Sequence, residues 1–469
     1  MNGSAVCVPT NRTSPDGLRR KKTAVAVHRE VAGEVQTLLG VIFTAGRGKP
    51  LDLEAVETAT RAGIHRAGAA VLSNLLDSTS RAPEDRCPCG HQAGYHDTRN
   101  RHLLTAVGEV KIRRCWYVCS HCGRGHSPRD RELGIEGTDV SPAVRRMMAV
   151  VGSETSFEHG REQLELLAGL EVTAKAVERQ AEAIGTDIEA REQNEIRRAK
   201  QLDLPEVCMP EVATLYIEMD GTGVPVVRAE TEGRKGKNVG EPARTREVKP
   251  GCVFTQTSSD DEGRPVRDED STTYVGAIEN AEAFGLRLYN EAWRRGWSRA
   301  KLKVVLGDGA IWIWNGADVH FPGAVQIVDI YHAREHLFEL AGRLLPANEK
   351  QRKQWLARCL DRLDKGKIEA LVKLLRGFDA ASPEITAALA TEADYFERNA
   401  ERMRYPKFRA MGLFIGSGVI EAGCRTVIGA RLKRSGMFWT VAGANSIIAL
   451  RCCRLSSRFE DYWADRLSA

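Results

Sequence analysis

Residues 214–223 have the sequence TLYIEMDGTG, an apolar run with branched and aromatic side chains that ends at Asp220. This composition predicts a buried β-strand, and the glycines that follow predict a turn. A second run, LKVVLGDG at 302–309, has the same pattern and ends at Asp308. We therefore expect two buried strands, each followed directly by a carboxylate.

The segments around these strands predict a complete α/β domain. Further strands are expected at 252–257, 272–277 and 324–328, and helices at 279–297, 311–316, 332–404 and from about 417 onward. The polar, glycine-rich stretch 229–250 predicts a hairpin tip or a loop. The resulting order is three strands, helix, strand, helix, strand, a helical block and a last helix. This is the order of a ribonuclease-H-like core with a helical insertion before its last helix.

Three acidic residues fall on elements that such a fold brings together: Asp220, Asp308 and Glu421, the last of them on the final helix. If the first and fourth strands are neighbours, the two aspartates meet at one edge of the sheet and the helix places Glu421 beside them. Carboxylates this close raise one another's pKa unless a cation neutralises them. Magnesium prefers oxygen ligands, and two ions about 4 Å apart catalyse phosphodiester cleavage. We therefore predict a catalytic site for Mg²⁺ or Mn²⁺.

Asp329 is a competing acid, because it also ends a predicted strand. Asp308 is preferred, since its strand is the expected neighbour of the first. Asp329 and His332 then form a second polar pair, which supports the site or contacts the scissile phosphate. The alternative is an ordinary strand-end hydrogen bond and a histidine that begins a helix.

The composition is that of a globular protein of two or three domains, with 469 residues, 42% apolar residues and a net charge of +5. No run approaches the ~20 apolar residues of a membrane span. The N-terminal 22 residues lack the apolar centre of a secretory signal and predict a basic, flexible tail. Twelve cysteines in such a chain fit a reducing cytosol, where metal binding or burial is favoured over disulfides.

A cluster of cysteines predicts a zinc ribbon. Cys87 and Cys89 precede, and Cys119 and Cys122 follow, a hairpin predicted from 102–107 and 109–118 around Gly108. Four thiolates favour tetrahedral structural zinc, which would stabilise a small sheet that buries little surface. The alternative is a metal-free reduced cluster. The first pair has a single spacer residue, so other side chains are possible substitutes as ligands: Cys115, His91, His121 and His126.

Two segments are rich in basic residues. Between 97 and 131 there are eight basic and three acidic residues, which predicts a phosphate-binding surface that includes Arg113 and Arg114. Between 425 and 454 there are six basic residues and no acid. There the candidate DNA contacts are Arg425, Arg431, Lys433 and Arg434. Solvated basic faces are the alternative. Trp439 is favoured as a core residue over a base-stacking one.

The pattern along the chain predicts seven regions. Helices from about Ser141, one of them marked by Leu164, Leu167 and Ala168 and ended by Gly169, predict either a helix-turn-helix or an ordinary helical hairpin. The predicted regions are a tail at 1–22, helices at 23–82, a zinc-ribbon-like module at 83–130, a helical DNA-binding region at 131–205, the first part of the core at 206–331, a helical insertion at 332–410 and the last part of the core at 411–469.

Four stretches together resemble a known family. They are MDGTGVPV (219–226), VVLGDGAIWIWN (304–315), VDIYHAREHL (328–337) and GSGVIEAGCRTVIGARLKRSGMFW (416–439). They resemble the DDE transposases of bacterial insertion sequences, most of all the Kra-type group, which is related to the mutator-like transposases. The cysteine ribbon also resembles that of the group. The resemblance covers roughly 85–455, and residues 1–80 have no match.

The resemblance implies that Asp220, Asp308 and Glu421 are the catalytic acids, and the Asp329-x-x-His332 pair resembles a motif of the mutator group. It implies metal-dependent cleavage at the ends of a mobile element and transfer of the freed 3′-hydroxyl into target DNA. Expected partners are terminal repeats, target DNA and a second copy of the chain or a larger homo-oligomer, in the bacterial cytoplasm and on the nucleoid. Neither a membrane nor a small-molecule substrate is expected.

Two other functions fit the same residues. One is a non-catalytic, domesticated DNA-binding protein, which would not need all three acids. The other is a ribonuclease-H-like nuclease without strand transfer. A metabolic enzyme is poorly supported, because we find neither a phosphate-binding glycine loop nor a nucleophile motif.

Overall fold

The chain is a mixed α/β protein in a computed structural model that describes residues 15–45, 52–77, 84–201, 203, 211–236, 241–346, 348–380 and 382–466. It divides into two compact units, Met1–Gln180 and Ala181–Ala469. None of the helices in these ranges is both long enough and apolar enough to cross a membrane.

The first unit consists of helices around a small antiparallel sheet. Its elements are α1 (Pro15–Ala45), α2 (Leu53–Leu76), β1 (Glu84–Arg86), β2 (Gln92–Thr105), β3 (Gly108–Cys119), β4 (Gly125–His126), α3 (Pro128–Glu132), α4 (Pro142–Glu154), α5 (Phe157–Gln163), a π-helical turn (Leu164–Ala168) and the start of α6 (Ala174–Lys200). Helix α1 begins at Pro15, within the segment predicted as a basic tail. The rest of the tail, 1–14, lies outside the described residues.

The sheet of this unit has the order β1-β2-β3-β4, and the predicted hairpin is its centre. Gly108 has φ +100 at the tight connection between β2 and β3, a conformation that glycine adopts without steric cost. β2 begins at Gln92, earlier than the sequence predicts. The reason is that the first half of β2 consists mostly of exposed polar residues. This half is held by pairing with β3 rather than by an apolar face.

The predicted helical pair is formed by α5 and α6. Gly169 has φ +66 and ends the π-helical turn, and the Thr173 side chain accepts a hydrogen bond from the backbone N–H of Ala176 (3.1 Å). Leu164 is buried, whereas Leu167 is exposed, so the two leucines lie on different faces. A π-helical turn contains more residues than a turn of α-helix, so it changes which side chains share a face.

The two units divide at Gln180, inside α6, and not near 205 where the sequence pattern changes. The helix is continuous across this point. Val177, near its start, packs with Val144 and Met148 in the core of the first unit, and its later turns belong to the second. The other predicted region boundaries remain predictions.

The second unit contains the large sheet and most of the helices. Its strands are β5 (Val212–Met219), β6 (Thr222–Pro225), β7 (Thr245–Gln256), β8 (Ser258–Ser259), β9 (Pro265–Val266), β10 (Thr273–Ala277), β11 (Ala300–Gly307) and β12 (Val325–Val328). Its helices are α7 (Ala281–Arg294), α8 (Ile311–His320), α9 (Ile330–Leu344), α10 (Glu349–Asp364), α11 (Ile368–Arg376), α12 (Pro383–Arg398), α13 (Tyr405–Ala410), α14 (Gly418–Gly423), α15 (Ala430–Leu432), α16 (Val441–Leu455) and α17 (Phe459–Asp465). Short 3-10 turns occur at Arg228–Thr231, Trp297–Arg299 and Ala400–Met403, and a π-helical turn at Cys424–Gly429.

The large sheet has the order β10-β7-β5-β11-β12, with β6 paired to the first half of β7. β5 is parallel to β11 and antiparallel to β7, and β11 is parallel to β12. The predicted pairing of the first and fourth long strands is therefore confirmed. β7 begins at Thr245, inside the predicted loop. The sequence does not indicate this start, because the first residues of β7 are polar and are held by pairing with β6 rather than by burial.

Apolar side chains of this sheet form one core with helices α7 to α9 and with α10 to α13. The predicted helical block corresponds to α9 to α13, and its last four helices bury residues such as Trp355, Leu371 and Phe396 against the same core. The block is therefore an integral part of the second unit, and it reaches the edge of the sheet where β5 and β11 end.

Candidate active site

Asp220 and Asp308 lie side by side at the carboxyl ends of β5 and β11. The two strands are parallel, and their last paired residues are Glu218 and Leu306. Each aspartate lies two residues after the last paired residue of its strand. The two therefore occupy matching positions at the ends of neighbouring strands, whose backbones are about 5 Å apart. Burial raises the pKa of Asp308, and the nearby charge of Asp220 raises it further. The two carboxylates therefore share one electrostatic environment.

The Asp308 carboxylate is held by a short loop. The backbone N–H of Ala310 donates to Asp308 Oδ1 (2.8 Å), and the Tyr395 hydroxyl donates to the Asp308 carbonyl (2.9 Å). Gly309 has φ +97, and a Cβ there would lie 2.6 Å from the Tyr395 ring. Only glycine leaves room for this ring, so α12 of the helical insertion shapes the loop.

Glu421 lies in α14, and two buried acids hold the first turn of this short helix. The backbone N–H of Ile420 donates to Glu218 Oε2 (2.8 Å). Both the N–H and the hydroxyl of Ser417 donate to Asp329 Oδ2, and the hydroxyl is also 3.2 Å from Glu421 Oε1. Backbone N–H groups at a helix start lack partners within the helix, so the carboxylates satisfy them.

Glu218 is fully buried on β5, with Oε1 lacking a hydrogen bond among the described residues. Burial raises its pKa to about 8, and the nearby charges of Asp329 and Glu421 add to the shift. Side chains along β5 alternate between the two faces of the sheet, so Glu218 points to the face opposite to that of Met219. This alternation is the one sequence signal that would have placed Glu218 under Glu421.

Asp329 is a fully hydrogen-bonded N-cap of α9. Oδ1 accepts from the N–H groups of Tyr331 (2.5 Å) and His332 (2.8 Å), while Oδ2 accepts from Ser417. Ligand atoms of Asp329, His332 and Glu421 lie within 4.8 Å of one another, a grouping compatible with a metal ion. Since four donors already occupy the oxygens of Asp329, His332 and Glu421 are the members with free capacity.

The Cys424 thiol is a site residue that the sequence did not predict. It donates to Asp220 Oδ2 at 3.0 Å. Burial raises the pKa of this thiol, and the charge of Asp220 does so further. Cys424 follows Glu421 by three positions, where the α-helix passes into the π-helical turn, so helical spacing alone links it to the site.

A second unpredicted feature is the pair of His336 and Glu392. Nδ1 of His336 is 2.8 Å from Glu392 Oε2, and its ring stacks on Tyr395 with 4.1 Å between centroids. His336 follows His332 by one helical turn on α9, which places both near Asp308. Tyr395 and Glu392 come from α12, and no local sequence signal connects them to this edge of the sheet.

In the first unit, the four predicted zinc ligands converge. The Sγ atoms of Cys87 and Cys122 are 3.6 Å apart, as are those of Cys89 and Cys119, and all four lie within 4.8 Å of one another. Tetrahedral zinc with bonds of about 2.3 Å requires sulfur separations of about 3.8 Å. Backbone N–H groups of Cys122 and His121 lower the pKa of Cys119 to about 6. The donor set therefore fits structural zinc.

The possible substitute ligands have other surroundings. The rings of His91 and His121 stack on each other, with centroids 3.7 Å apart, beside Cys89. His126 Nε2 is 2.7 Å from Asp85 Oδ2.

Two of the predicted DNA contacts are buried, which disfavours their contact with DNA. Arg114 is 7% exposed, donates to Asp130 (2.7 Å) and lies over the Trp116 ring. Arg431 is fully buried over Trp439, with 4.9 Å from its guanidinium carbon to the ring centroid. Both guanidiniums found partners inside the protein. The core position favoured for Trp439 is confirmed, since it is 6% exposed.

The other four candidate DNA contacts are exposed. Arg113 forms an ion pair with Asp77, and Arg434 donates to the carbonyl of Ala430. Lys433 donates to the Thr222 hydroxyl, close to the end of β5. Arg425 lies four residues after Glu421 and is exposed. Their contact with DNA remains a prediction.

Comparison with known proteins places the chain in a family. The profile of the "Uncharacterised protein family (UPF0236)" matches residues 49–458. The chain belongs to the UPF0236 family. This UPF0236 chain is 24% identical over 394 residues to the "UPF0236 protein in vanSb 3'region" of Streptococcus gallolyticus, which covers 78% of this chain and 74% of that protein.

Two solved structures show weak similarity to this UPF0236 chain. The "Drosophila P element transposase strand transfer complex" covers 72% of this chain and 86% of its own, with 8% identity and a TM-score of 0.23. A structure of "NurA bound to dAMP and manganese" covers 63% of this chain and 64% of its own, with 13% identity and a TM-score of 0.11. Scores this low do not indicate a shared fold.

Proposed function

We propose that this chain is a DDE-type DNA transposase of the Kra-type group, which cleaves phosphodiester bonds at the ends of a mobile element and joins the 3′-hydroxyl to target DNA. The observation that carries the proposal is the side-by-side placement of Asp220 and Asp308 on neighbouring parallel strands. The sheet order, antiparallel on one side of β5 and parallel on the other, supports a ribonuclease-H-like core.

The residues at this edge fit divalent cations. Asp220, Asp308 and Glu421 supply hard oxygen donors of the kind that Mg²⁺ or Mn²⁺ prefers, and their mutual repulsion calls for positive charge. When bound, such cations activate a hydroxyl or water and stabilise the leaving oxygen. His332, within 4.8 Å of Glu421, is a further ligand or a contact to the scissile phosphate.

The surrounding side chains hold these acids in position. Tyr395 and the Ala310 N–H fix the Asp308 loop, while Glu218 and Asp329 fix the helix that bears Glu421. Exposed basic groups at Arg425 and Lys433 are placed to bind the DNA backbone near the acids.

In the first unit, Cys87, Cys89, Cys119 and Cys122 would hold zinc, which stabilises the small sheet. We assign this unit to recognition of the terminal repeats in the bacterial cytoplasm. Pairing of two element ends would require a dimer or a larger assembly.

The test is incubation of the chain with labelled element ends and a target plasmid, with and without Mg²⁺. We expect metal-dependent nicks at the element ends and joined products. Asp308→Asn should abolish both reactions while DNA binding persists. Asp318→Asn, which changes an exposed acid on α8, is the matched control and should retain activity.

The outcomes separate the other two functions. Cleavage without joined product would identify a nuclease. Sequence-specific binding with no cleavage in wild type would identify a non-catalytic DNA-binding protein. Full activity of Asp308→Asn would refute the catalytic assignment.

A further inference from the structure

A cavity of about 630 Å³ opens beside the β6–β7 hairpin. It is lined by parts of 226–234 and 242–244 and by Phe438. Its volume lies within the range of about 300–1,000 Å³ that is usual for small-ligand sites. Val226 is six residues from Asp220, which corresponds to roughly 20 Å along an extended chain. None of Asp220, Asp308 and Glu421 lines the cavity, which is therefore separate from the proposed catalytic site.

The charge of this cavity is unbalanced. Arg228, Arg234 and Arg244 line it against a single acid, Glu232. Among the described residues, none of the three guanidinium groups has an ion-pair or hydrogen-bond partner, and all three are exposed. Unpaired arginines in a concave surface attract phosphate, which they bind through two parallel hydrogen bonds.

Two other cavities of the same unit have balanced charge. The one bordered by Arg294 and Arg458 has four arginines and four acids, and the one bordered by Arg376 has two residues of each sign. Ion pairs within the protein, such as that of Arg376 with Glu397, account for those clusters. The same explanation does not apply to the cavity on the hairpin.

The exposed ring of Phe438 completes this cavity. Phe438 is 65% exposed, whereas the next residue, Trp439, is 6% exposed. Successive side chains of an extended segment point in opposite directions, so burial of Trp439 turns Phe438 outward. Backbone hydrogen bonds hold this segment on the hairpin, from Val227 N–H to the Trp439 carbonyl (2.9 Å) and from Trp439 N–H to the Pro225 carbonyl (3.2 Å). The ring is thus presented on a fixed backbone.

We propose that this cavity binds an unpaired nucleotide of a DNA strand, with the base stacked on Phe438 and the flanking phosphates bound by Arg228, Arg234 and Arg244. An exposed aromatic ring among unpaired basic groups is the arrangement that binds single strands. The proposal rests on the proposed function only in taking DNA as the ligand. It assigns the cavity to an unpaired part of the bound DNA that lies away from the reacting phosphodiester.

The test compares two fluorescein-labelled duplexes of the same sequence, one blunt and one with a five-nucleotide single-stranded overhang. Binding of the full chain is measured by fluorescence anisotropy without added divalent cations. We expect the wild type to prefer the overhang, and Phe438→Ala to lose about 5- to 150-fold in affinity for it, the effect of one stacked base. Affinity for the blunt duplex should not change.

Three variants exclude a structural explanation. Phe438→Leu keeps an apolar side chain but not the ring, and should behave like Phe438→Ala, whereas Phe438→Trp should keep the preference. Phe338→Ala removes another exposed phenylalanine, on α9 and outside the cavity, and should have no effect. Arg234→Gln with Arg244→Gln should reduce the salt dependence of overhang binding, by about 0.7 in log–log slope for each lost phosphate contact.

Several outcomes would overturn the proposal. One is an equal preference for the overhang in the wild type and in Phe438→Ala. Another is competition by thymidine monophosphate as strong as that by the overhang, which indicates a site for a free nucleotide. A third is a change of oligomeric state in Phe438→Ala with the preference for the overhang intact, which indicates a protein interface. The result is distinct from that for catalysis. A chain that prefers overhangs but never cleaves refutes the proposed function alone, and a chain that cleaves without this preference refutes the cavity assignment alone.

Discussion

Asp308 stands beside Asp220 because β11 and β5 are parallel neighbours whose pairing ends at Leu306 and Glu218, two residues before each aspartate. The Cys424 thiol contacts Asp220, and Cys424 lies one turn from Glu421 in the same helical segment. The ligand atoms of Glu421 lie within 4.8 Å of those of Asp329 and His332, and a grouping of all three predicted acids around shared metal ions remains a prediction.

We predict that Glu218 positions Glu421 through its hydrogen bond with the Ile420 N–H. Glu218→Leu should leave this buried N–H without a partner and lower the free energy of unfolding by about 1–3 kcal/mol. Binding of Mn²⁺ should weaken by about 10- to 100-fold, as for other residues that orient a metal ligand. Glu218→Gln keeps an acceptor oxygen and should retain most of the stability and most of the affinity for Mn²⁺. Calorimetry and denaturant unfolding measure these effects, and equal losses in both variants would contradict the role.

Arg431 and Arg425 should respond in opposite ways to substitution. Arg431 is buried against Trp439, so Arg431→Ala should lower the melting temperature, with a loss of several kcal/mol, because it leaves a cavity and breaks a cation–π contact. Arg425 is exposed, so Arg425→Ala should leave the melting temperature unchanged and reduce affinity for DNA. Thermal unfolding and DNA binding at two salt concentrations are the measurements. A stable Arg431→Ala variant with weakened DNA binding would restore the original prediction.

Removal of zinc should unfold the ribbon. Cys119→Ser should reduce the bound zinc from about one ion per chain to a trace and expose the β2–β3 hairpin to proteolysis. Cys115→Ala is the matched control, because Cys115 is buried on the same strand but lies outside the group of four. Elemental analysis and limited proteolysis with trypsin distinguish the two. Loss of zinc in both variants would assign Cys115 to the ligand set.

The contact between His336 and Glu392 should make stability depend on pH. Burial alone lowers the pKa of His336, but the hydrogen bond and charge of Glu392, with the charges of Glu339 and Asp308, raise it above the usual 6.5. A raised pKa in the folded state stabilises the protein fully below pH 6.5, and this contribution is lost as pH rises through the folded-state pKa.

Glu392→Gln should therefore destabilise the protein more at pH 6 than at pH 9, and nuclear magnetic resonance should show a lower pKa for His336. Urea unfolding at the two pH values gives the difference. An equal effect at both values would exclude a charged His336 as the cause.

The sequence predicted the elements that carry the acids because long apolar runs and short glycine turns have local causes. Asp220 and Asp308 follow such runs, and parallel pairing of their strands follows from the element order. The first half of β7 was not predicted, since Thr245, Arg246 and Glu247 have no strand pattern and their conformation depends on pairing with β6.

The side chains around the acids were mostly beyond prediction. Tyr395 reaches the Asp308 loop from α12, and this contact between distant segments has no local signal. The basic residues show the same limit, because counting them along the chain does not reveal which guanidinium meets a buried partner. Arg114 meets Asp130, and Arg431 meets Trp439, so both leave the surface.

The most direct test is a crystal structure of the chain soaked with Mn²⁺, with anomalous diffraction recorded to locate the ions. We expect two Mn²⁺ ions about 4 Å apart, bound by carboxylate oxygens of Asp220, Asp308 and Glu421, and no ions there in Asp308→Asn. A single ion held by Asp329, His332 and Glu421, with Asp220 and Asp308 unliganded, would contradict this account, as would the absence of manganese from all of these residues.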